Sequence, residues 1–303
     1  MFNFSKKELV VTHDGNFHAD DVFAGAIISL YFEKVNKKFE IIRTRDRKII
    51  ERANIVFDVG EIYDGQNNRF DHHQKGRAGA RENGIMYAAS GLVWKHFGEK
   101  LTNKVVVEIL DNRIFSPLDA VDNGQELGVS NFSRISPYSI PSIVAVFNPT
   151  WQENDEEDKI FIKLVSWTKE LLKREIISAE ASYLAESDIS KKYEESEDKK
   201  IIILEKNYSR YEINRVLAIL PEPIYFVYPK GDGSGWKAEC VRVSPEKIEN
   251  RKSFPSGWAA MRGEDLQKVS GVADAVFCHD GLFVSYAKSK EGAIGLAKNA
   301  LKS

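Results

Sequence analysis

Cysteine is nearly absent from this 303-residue chain: Cys240 and Cys278 are the only two, and neither has a second thiol nearby in sequence. A cysteine-ligated zinc site is thereby excluded, a reducing compartment is indicated, and both thiols read as core residues. An excess of either charge is also missing. The 43 Lys and Arg against 45 Asp and Glu leave a net charge of −2, so no global basic field points to duplex DNA or an anionic membrane surface. No long uncharged apolar stretch occurs, and Met1–Glu8 lacks an apolar signal core. The expected location is therefore cytoplasmic, with no membrane partner. Histidine is sparse at six residues, yet His13, His18, His72 and His73 fall in the first quarter of the chain beside aspartates.

The length implies two domains with a core that folds without disulfides or structural zinc. Hydrophobic residues at 43% and charged residues at 29% are ordinary for a globular protein and exclude disorder or a fibrous repeat. Glu8–Thr12, Phe39–Arg43 and Ile55–Phe57 are short apolar runs. Between the first two, residues 20 to 34 take helical spacing through Val22, Ala26, Ile27, Leu30 and Tyr31, with Asp20 or Asp21 as the cap. Thr44–Arg52 reads as a crossover, and helices are expected over Ile85–Phe97 and Lys104–Ile114. Strand, helix and strand in alternation predict an α/β fold with a parallel sheet.

The acidic run Gln152–Asp158 closes a first domain, residues 1–155; residues 156–199 form a connecting helix and linker, and residues 200–303 a smaller C-terminal α/β domain. That last part starts with Ile201–Leu204, holds a hairpin in which Tyr225–Tyr228 and Lys237–Val241 flank a turn, and finishes in a helix over Glu291–Leu301. Gly231–Gly235 is a hairpin tip, because the Lys-Ser/Thr and helix of a P-loop do not follow.

Chemistry concentrates in four motifs: His13-Asp14-Gly15-Asn16-Phe17-His18-Ala19-Asp20-Asp21, Asp58, Asp71-His72-His73 and Asp119-Ala120-Val121-Asp122-Asn123-Gly124. The first three stand at the ends of extended segments, and in an open parallel sheet those ends line one crevice. Imidazole mixed with carboxylate suits manganese or magnesium, and two such ions sharing a carboxylate can clamp the oxygens of a phosphoryl displacement.

Asp71-His72-His73 resembles the signature of the DHH phosphoesterase superfamily. More narrowly, Thr12–Asp21, Asn68–His73, Asp119–Gly124, Phe147-Asn148-Pro149-Thr150-Trp151 and Phe254-Pro255-Ser256-Gly257-Trp258 resemble the Myg (melanocyte proliferating gene) family over nearly the whole chain. The resemblance implies two divalent ions, Mn2+ or Mg2+. It implies His13, His18 and Asp20 as ligands from the first loop, Asp58 as the bridge, His72 and Asp122 completing the second ion, and His73 facing the phosphate. Here His18 takes the place where the superfamily usually has an aspartate, with one residue more in the spacing, and Asp14 or Asp21 are substitute ligands, Asp21 equally a helix cap. Asp71 either ligates or orients a histidine; Asp119 reads as a helix-surface charge, with Asp122 preferred.

The implied reaction is metal-dependent hydrolysis of phosphoester bonds at the 3′ end of short single-stranded RNA. The alternatives are a pyrophosphatase, a nanoRNA or cyclic-dinucleotide phosphodiesterase, and a non-enzymatic metal-stabilised nucleotide-binding module. Arg77 and Arg81, then Lys252, Trp258 and Arg262, are candidates for a local groove, although Trp258 also reads as a packing residue. His279 is either a turn residue or a substrate contact, His96 has a structural explanation at a helix end, and Trp167 allows a homodimer.

Overall fold

A computed structural model describes residues 7–128, 132–135, 137–153 and 156–303. Asn154 and Asp155 of the acidic run, and the residues before Lys7, lie outside that set. The chain divides into two compact units, Met1–Glu180 and Ala181–Ser303.

The first unit runs β1 (Glu8–Thr12), α1 (Ala19–Lys34), β2 (Phe39–Arg43), α2 (Arg47–Arg52), β3 (Ile55–Phe57), β4 (Tyr63–Asp64) and β5 (Arg69–Phe70). It continues through α3 (Ala89–Leu101), α4 (Lys104–Leu110), α5 (Ser116–Asp122), α6 (Ile140–Ala145) and the first part of α7 (Glu157–Glu195). Its sheet has the order β2-β1-β3-β5-β4, parallel except for β4. Alternation along β1 sorts the two faces. Val10 joins the large core with Phe23, Ile27 and Trp94, whereas Val11 meets Val56, Val59 and the Ile49 and Ile50 side chains of α2. With both faces covered, the central strand β3 is apolar throughout and β1 and β2 are apolar in their middles, as a parallel sheet favours. Helix α1 is buried from Ala19 to Leu30, so it runs inside the core rather than along the surface.

Three expectations shift here, the first being the helix expected over Ile85–Phe97, which runs over Ala89–Leu101 as α3. The α1 cap is His18, whose backbone N–H donates to Asp21 Oδ1 at 3.0 Å; Asp20 and Asp21 lie inside the first turn. The helix expected to end at Ile114 continues through a π turn, Asp111–Phe115, into α5. Nothing in local periodicity marks a π turn, which exists because tertiary packing holds it.

The second unit takes the rest of α7, then β6 (Ile201–Ile203), α8 (Arg210–Leu217), β7 (Tyr225–Pro229), β8 (Trp236–Cys240), α9 (Gly263–Ser270), β9 (Ala275–Cys278), β10 (Val284–Ala287) and α10 (Lys290–Lys302). Its sheet order is β6-β7-β8-β10-β9, with only β6 and β7 parallel. The β7–β8 hairpin forms as expected. One sheet face packs Val227, Ala238 and Cys240 against α10, and the other packs Phe226 and Tyr228 against α8. No described helix is long and apolar enough to cross a membrane.

Candidate metal centre

The C-terminal ends of β1, β3 and β5 deliver His13, Asp58 and Asp71-His72-His73 to the same edge of the first sheet. The first turn of α1 adds Asp20 and Asp21, and the last residue of α5 adds Asp122. These side chains line a hollow of about 940 Å3 or lie directly beneath it.

Asp58 is the centre. One carboxylate oxygen lies 3.2 Å from His13 Nε2, and the other lies 3.3 Å from His72 Nε2 and 3.6 Å from His73 Nδ1. His13 Nε2 also meets Asp21 Oδ2 at 3.1 Å, and His72 Nε2 meets Asp122 Oδ2 at 3.3 Å. His13 Nδ1 faces the Asp14 carbonyl at 2.9 Å. A neutral His13 therefore donates from Nδ1 and turns its Nε2 lone pair toward two carboxylates. Such a convergence of acceptors demands a cation. Without one a proton takes the place: burial pulls the His13 imidazole down, yet Asp21 and Asp58 carry it up to about 10. Burial likewise opposes the Asp58 charge, but His13 and His72 hold its carboxyl well below the usual range. Desolvation pushes Asp20, Asp21 and Asp122 up, and for Asp20 the charges of Asp122 and Asp58 add to it.

Three groups of donor atoms can each surround an ion: His13, Asp21 and Asp58; Asp20, His72 and Asp122; and Asp58, Asp71, His72 and His73. Buried Asp21 Oδ2, Asp58 Oδ1 and both His72 ring nitrogens lack hydrogen-bond partners. Orphaned oxygen and imidazole donors of this kind fit a divalent cation, with manganese and magnesium favoured by the carboxylate share. His18 stands outside all three groups. It is exposed and lines the hollow, its ring centroid 6.1 Å from that of His13, while Asp21 is the residue that groups with His13 and Asp58. The helical register decides this: Asp21 sits on the side of the α1 first turn that faces β1 and β3.

Asp71 is spent on positioning. Its Oδ1 accepts the His72 and His73 backbone N–H groups and His73 Nδ1 at 2.7, 3.1 and 2.8 Å, and its Oδ2 accepts Glu61 N–H at 2.6 Å. The loop after β3 is thereby tied to the triplet, and the half-exposed His73 keeps Nε2 for the hollow. Asp71 first, and Asp58 behind it, raise the His73 imidazole. The first loop is braced from outside: Asn148 exchanges hydrogen bonds with both backbone groups of Phe17 at 2.9 and 2.8 Å, and Arg43 donates to the Gly15 carbonyl while lying over Phe17 and Phe161.

Asp119 is fully buried, which overturns its reading as a surface charge. It accepts Ser90 Oγ, Gly91 N–H and Arg81 Nη1 at 2.9, 3.0 and 2.7 Å. Burial lifts its carboxyl to about 6 against the pull of Arg81. Asp20 takes the two preceding α3 amides, Ala89 and Ser90, at 2.9 and 2.7 Å, so the start of α3 holds two carboxylates side by side. Only glycine permits this: a Cβ at Gly91 would fall 1.8 Å from Asp119 Oδ2. Arg81 is consumed by Asp119 and by a two-pronged bond to Asp111, both prongs at 2.7 Å, and does not line the hollow. It leaves the set of groove candidates.

Arg77 lines the hollow, with Nη1 3.3 Å from Asn123 Oδ1. In the second unit Trp258 is a core residue, 4% exposed and stacked on Phe254, because its indole completes the cluster under α10. Lys252 donates to the Leu301 carbonyl at 2.9 Å. Arg262 is exposed over the Phe277 ring, and exposed His279 rests on Phe283 with Nδ1 accepting Gly281 N–H. His96 packs on Phe70 and Phe97, where burial and Lys100 disfavour its charge. The hollow also collects Arg45 and Arg47, which follow the end of β2. Sequence reasoning passed over them, although the strand-end rule that selects His13 and Asp58 applies equally to β2.

The chain resembles the human MYG1 exonuclease at 27% identity over 328 residues, covering 96% of this chain and 85% of that protein. The MYG1 protein of Saccharomyces cerevisiae is 29% identical over 333 residues, covering 99% and 97%. Among solved structures, RecJ from Thermus thermophilus in complex with Mn2+ aligns at 11% identity and a TM-score of 0.28 over 98% of this chain; that alignment spans about half of RecJ, 52%. A second exonuclease RecJ, bound to manganese, aligns at 11% identity and a TM-score of 0.31, over 98% of this chain and 91% of its own. Residues 9–301 match the family model for MYG1 exonucleases, described as uncharacterised protein family UPF0160, and the chain belongs to that family.

Proposed function

We propose that this protein is a metal-dependent phosphodiesterase that removes nucleotides from the 3′ end of short single-stranded RNA. The observation that carries this is the convergence of buried, unpartnered carboxylate and imidazole atoms around Asp58 at the base of an open hollow. The likeness to the human and bovine MYG1 exonucleases supports the same class.

Two divalent ions, Mn2+ or Mg2+, would be held by His13, Asp20, Asp21, Asp58, His72 and Asp122, with Asp58 common to both. Bound there, they would supply charge neutralisation for a phosphoester and a water acidic enough to attack near neutral pH. The protein's own part is positional and electrostatic. Asp71 locks His73 through Nδ1, so that Nε2–H can be offered to a phosphate oxygen as negative charge develops. Asp20, fixed by two α3 amides, cannot swing away from the site when the ion leaves. Arg77 stands at the rim, where a single strand needs local rather than global positive charge.

The test uses purified full-length protein, Mn2+ and 5′-labelled single-stranded RNA. The expected product is a ladder shortening from the 3′ end with release of mononucleotides. RNA left intact at high enzyme concentration overturns the proposal. Phosphate released from pyrophosphate, with RNA untouched, moves the substrate to the pyrophosphatase alternative.

A further inference from the structure

The hollow holds more than a metal site needs. At about 940 Å3 it reaches the upper part of the range of small-molecule sites, roughly 300–1,000 Å3, while the metal-facing residues occupy only its β1–β3–β5 side. The rest of its wall is made of Arg45, Arg47 and Ile50, which follow β2, and of Val59 and Ile62, which follow β3. We infer that this wall is a subsite for a second nucleotide, with the neighbouring phosphodiester on Arg45 and Arg47 and the sugar and base against Ile50 and Ile62. This rests on the phosphodiesterase proposal above and deepens it to a minimal substrate: a phosphodiester with a further nucleotide attached, rather than an isolated phosphoester or pyrophosphate.

Each side chain is costly or idle without such a ligand. Arg45 pairs with Asp14 at 3.2 Å, but the two side chains are 64% and 54% exposed. A pair that open contributes little to stability and yields readily to a phosphate. Arg47 stands in the first turn of α2, where a cation opposes the helix dipole. Ile62 is 54% exposed where it lines the hollow, and a Cβ on nearby Gly60 would fall 3.4 Å from Ile50 Cγ2. Glu51 and Glu61 also line the hollow. As acceptors they suit ribose hydroxyls or exocyclic amines and repel phosphate, which confines the anion seat to the two arginines.

The experiment compares kcat/KM for a trinucleotide with that for bis(4-nitrophenyl) phosphate, a diester with no neighbouring nucleotide, in the wild type, the Arg45→Ala/Arg47→Ala variant and the Arg45→Lys/Arg47→Lys variant, all with Mn2+. The expected result is a trinucleotide preference reduced roughly 10–100-fold in the alanine variant, mainly through KM, and largely restored by lysine. An unaltered preference, or equal losses on both substrates, overturns the subsite while leaving the phosphodiesterase proposal in place. Wild-type protein that hydrolyses neither substrate overturns both.

Discussion

Both units bury carboxylates, and they treat them differently. In the second unit Glu239 is 4% exposed, accepts the Tyr228 hydroxyl at 2.8 Å through Oε1 and has the Arg210 guanidinium 3.0 Å from Oε2, an ion pair without hydrogen-bond geometry. Its charge is met by the protein itself. Around Asp58 the balance is reversed: Asp20, Asp21, Asp58 and Asp122 converge on two buried imidazoles and no arginine or lysine. A few ångströms further on, Asp119 again has a cation in Arg81. Burial of a carboxylate is therefore not what marks a site. The mark is burial without enough donors, because a fold gains nothing from such a cluster until a cation arrives.

The comparison breaks most severely at Asp58. Replacing it with Asn should lower Mn2+-dependent RNA hydrolysis by at least about 10³-fold, since the group shared by both metal-binding arms is lost. Circular dichroism of the metal-free variant should match the wild type, and retained activity would remove Asp58 from the centre. Next in size are the carboxylates that face an arginine. Arg81→Ala leaves Asp119 buried without its cation and should cost about 3–5 kcal/mol in urea unfolding of the first unit. Arg210→Ala, with a partly exposed guanidinium and the Tyr228 hydroxyl still donating, should cost about 1–3 kcal/mol.

Metal itself sharpens the contrast. Mn2+ at a hundred times its Kd should stabilise the wild type by about 2.7 kcal/mol for each ion bound, and Asp58→Asn by far less. Hydrogen exchange should slow in residues 13–21, 58–62 and 71–77 and stay unchanged across residues 201–303; protection in the second unit would contradict the assignment. The smallest effect concerns pH. Burial raises the Glu239 carboxyl in the folded state despite Tyr228 and Arg210. A raised folded value means that its contribution is complete below the unfolded glutamate range and is lost as the pH climbs through the folded value. The urea midpoint of the second unit should fall over that interval, and Glu239→Gln should flatten the slope.

Strands β1, β2 and β3 were legible because apolar runs of three to five residues broken by polar turns have few alternatives, whereas the two-residue strands β4 and β5 carry no such run; His13, Asp58 and His72 stood out because strand ends share an edge. The choice between His18 and Asp21 was not, since it depends on where α1 starts, and helix starts shift by a residue or two under tertiary packing. Asp119 and Arg81 were misread for a related reason. Both are charged residues whose surroundings look solvated in sequence, and only the buried start of α3, 28 and 29 positions away from Asp119, explains their burial. For Trp258 the sequence favoured packing over base stacking, and the core cluster with Phe254 agrees with that preference.

Asp58 also has an unusual backbone, with φ at 52° in the left-handed region. Few side chains tolerate that conformation, and Asp, Asn and Gly are among those that do. The position is consequently constrained twice, once by its carboxylate and once by its peptide, and the two constraints separate under saturation mutagenesis. Asn and Gly there should give a folded, inert protein, whereas Val and Ile should deplete the folded protein itself. Abundance and activity scores at this one codon would thus diverge for the first pair and fall together for the second.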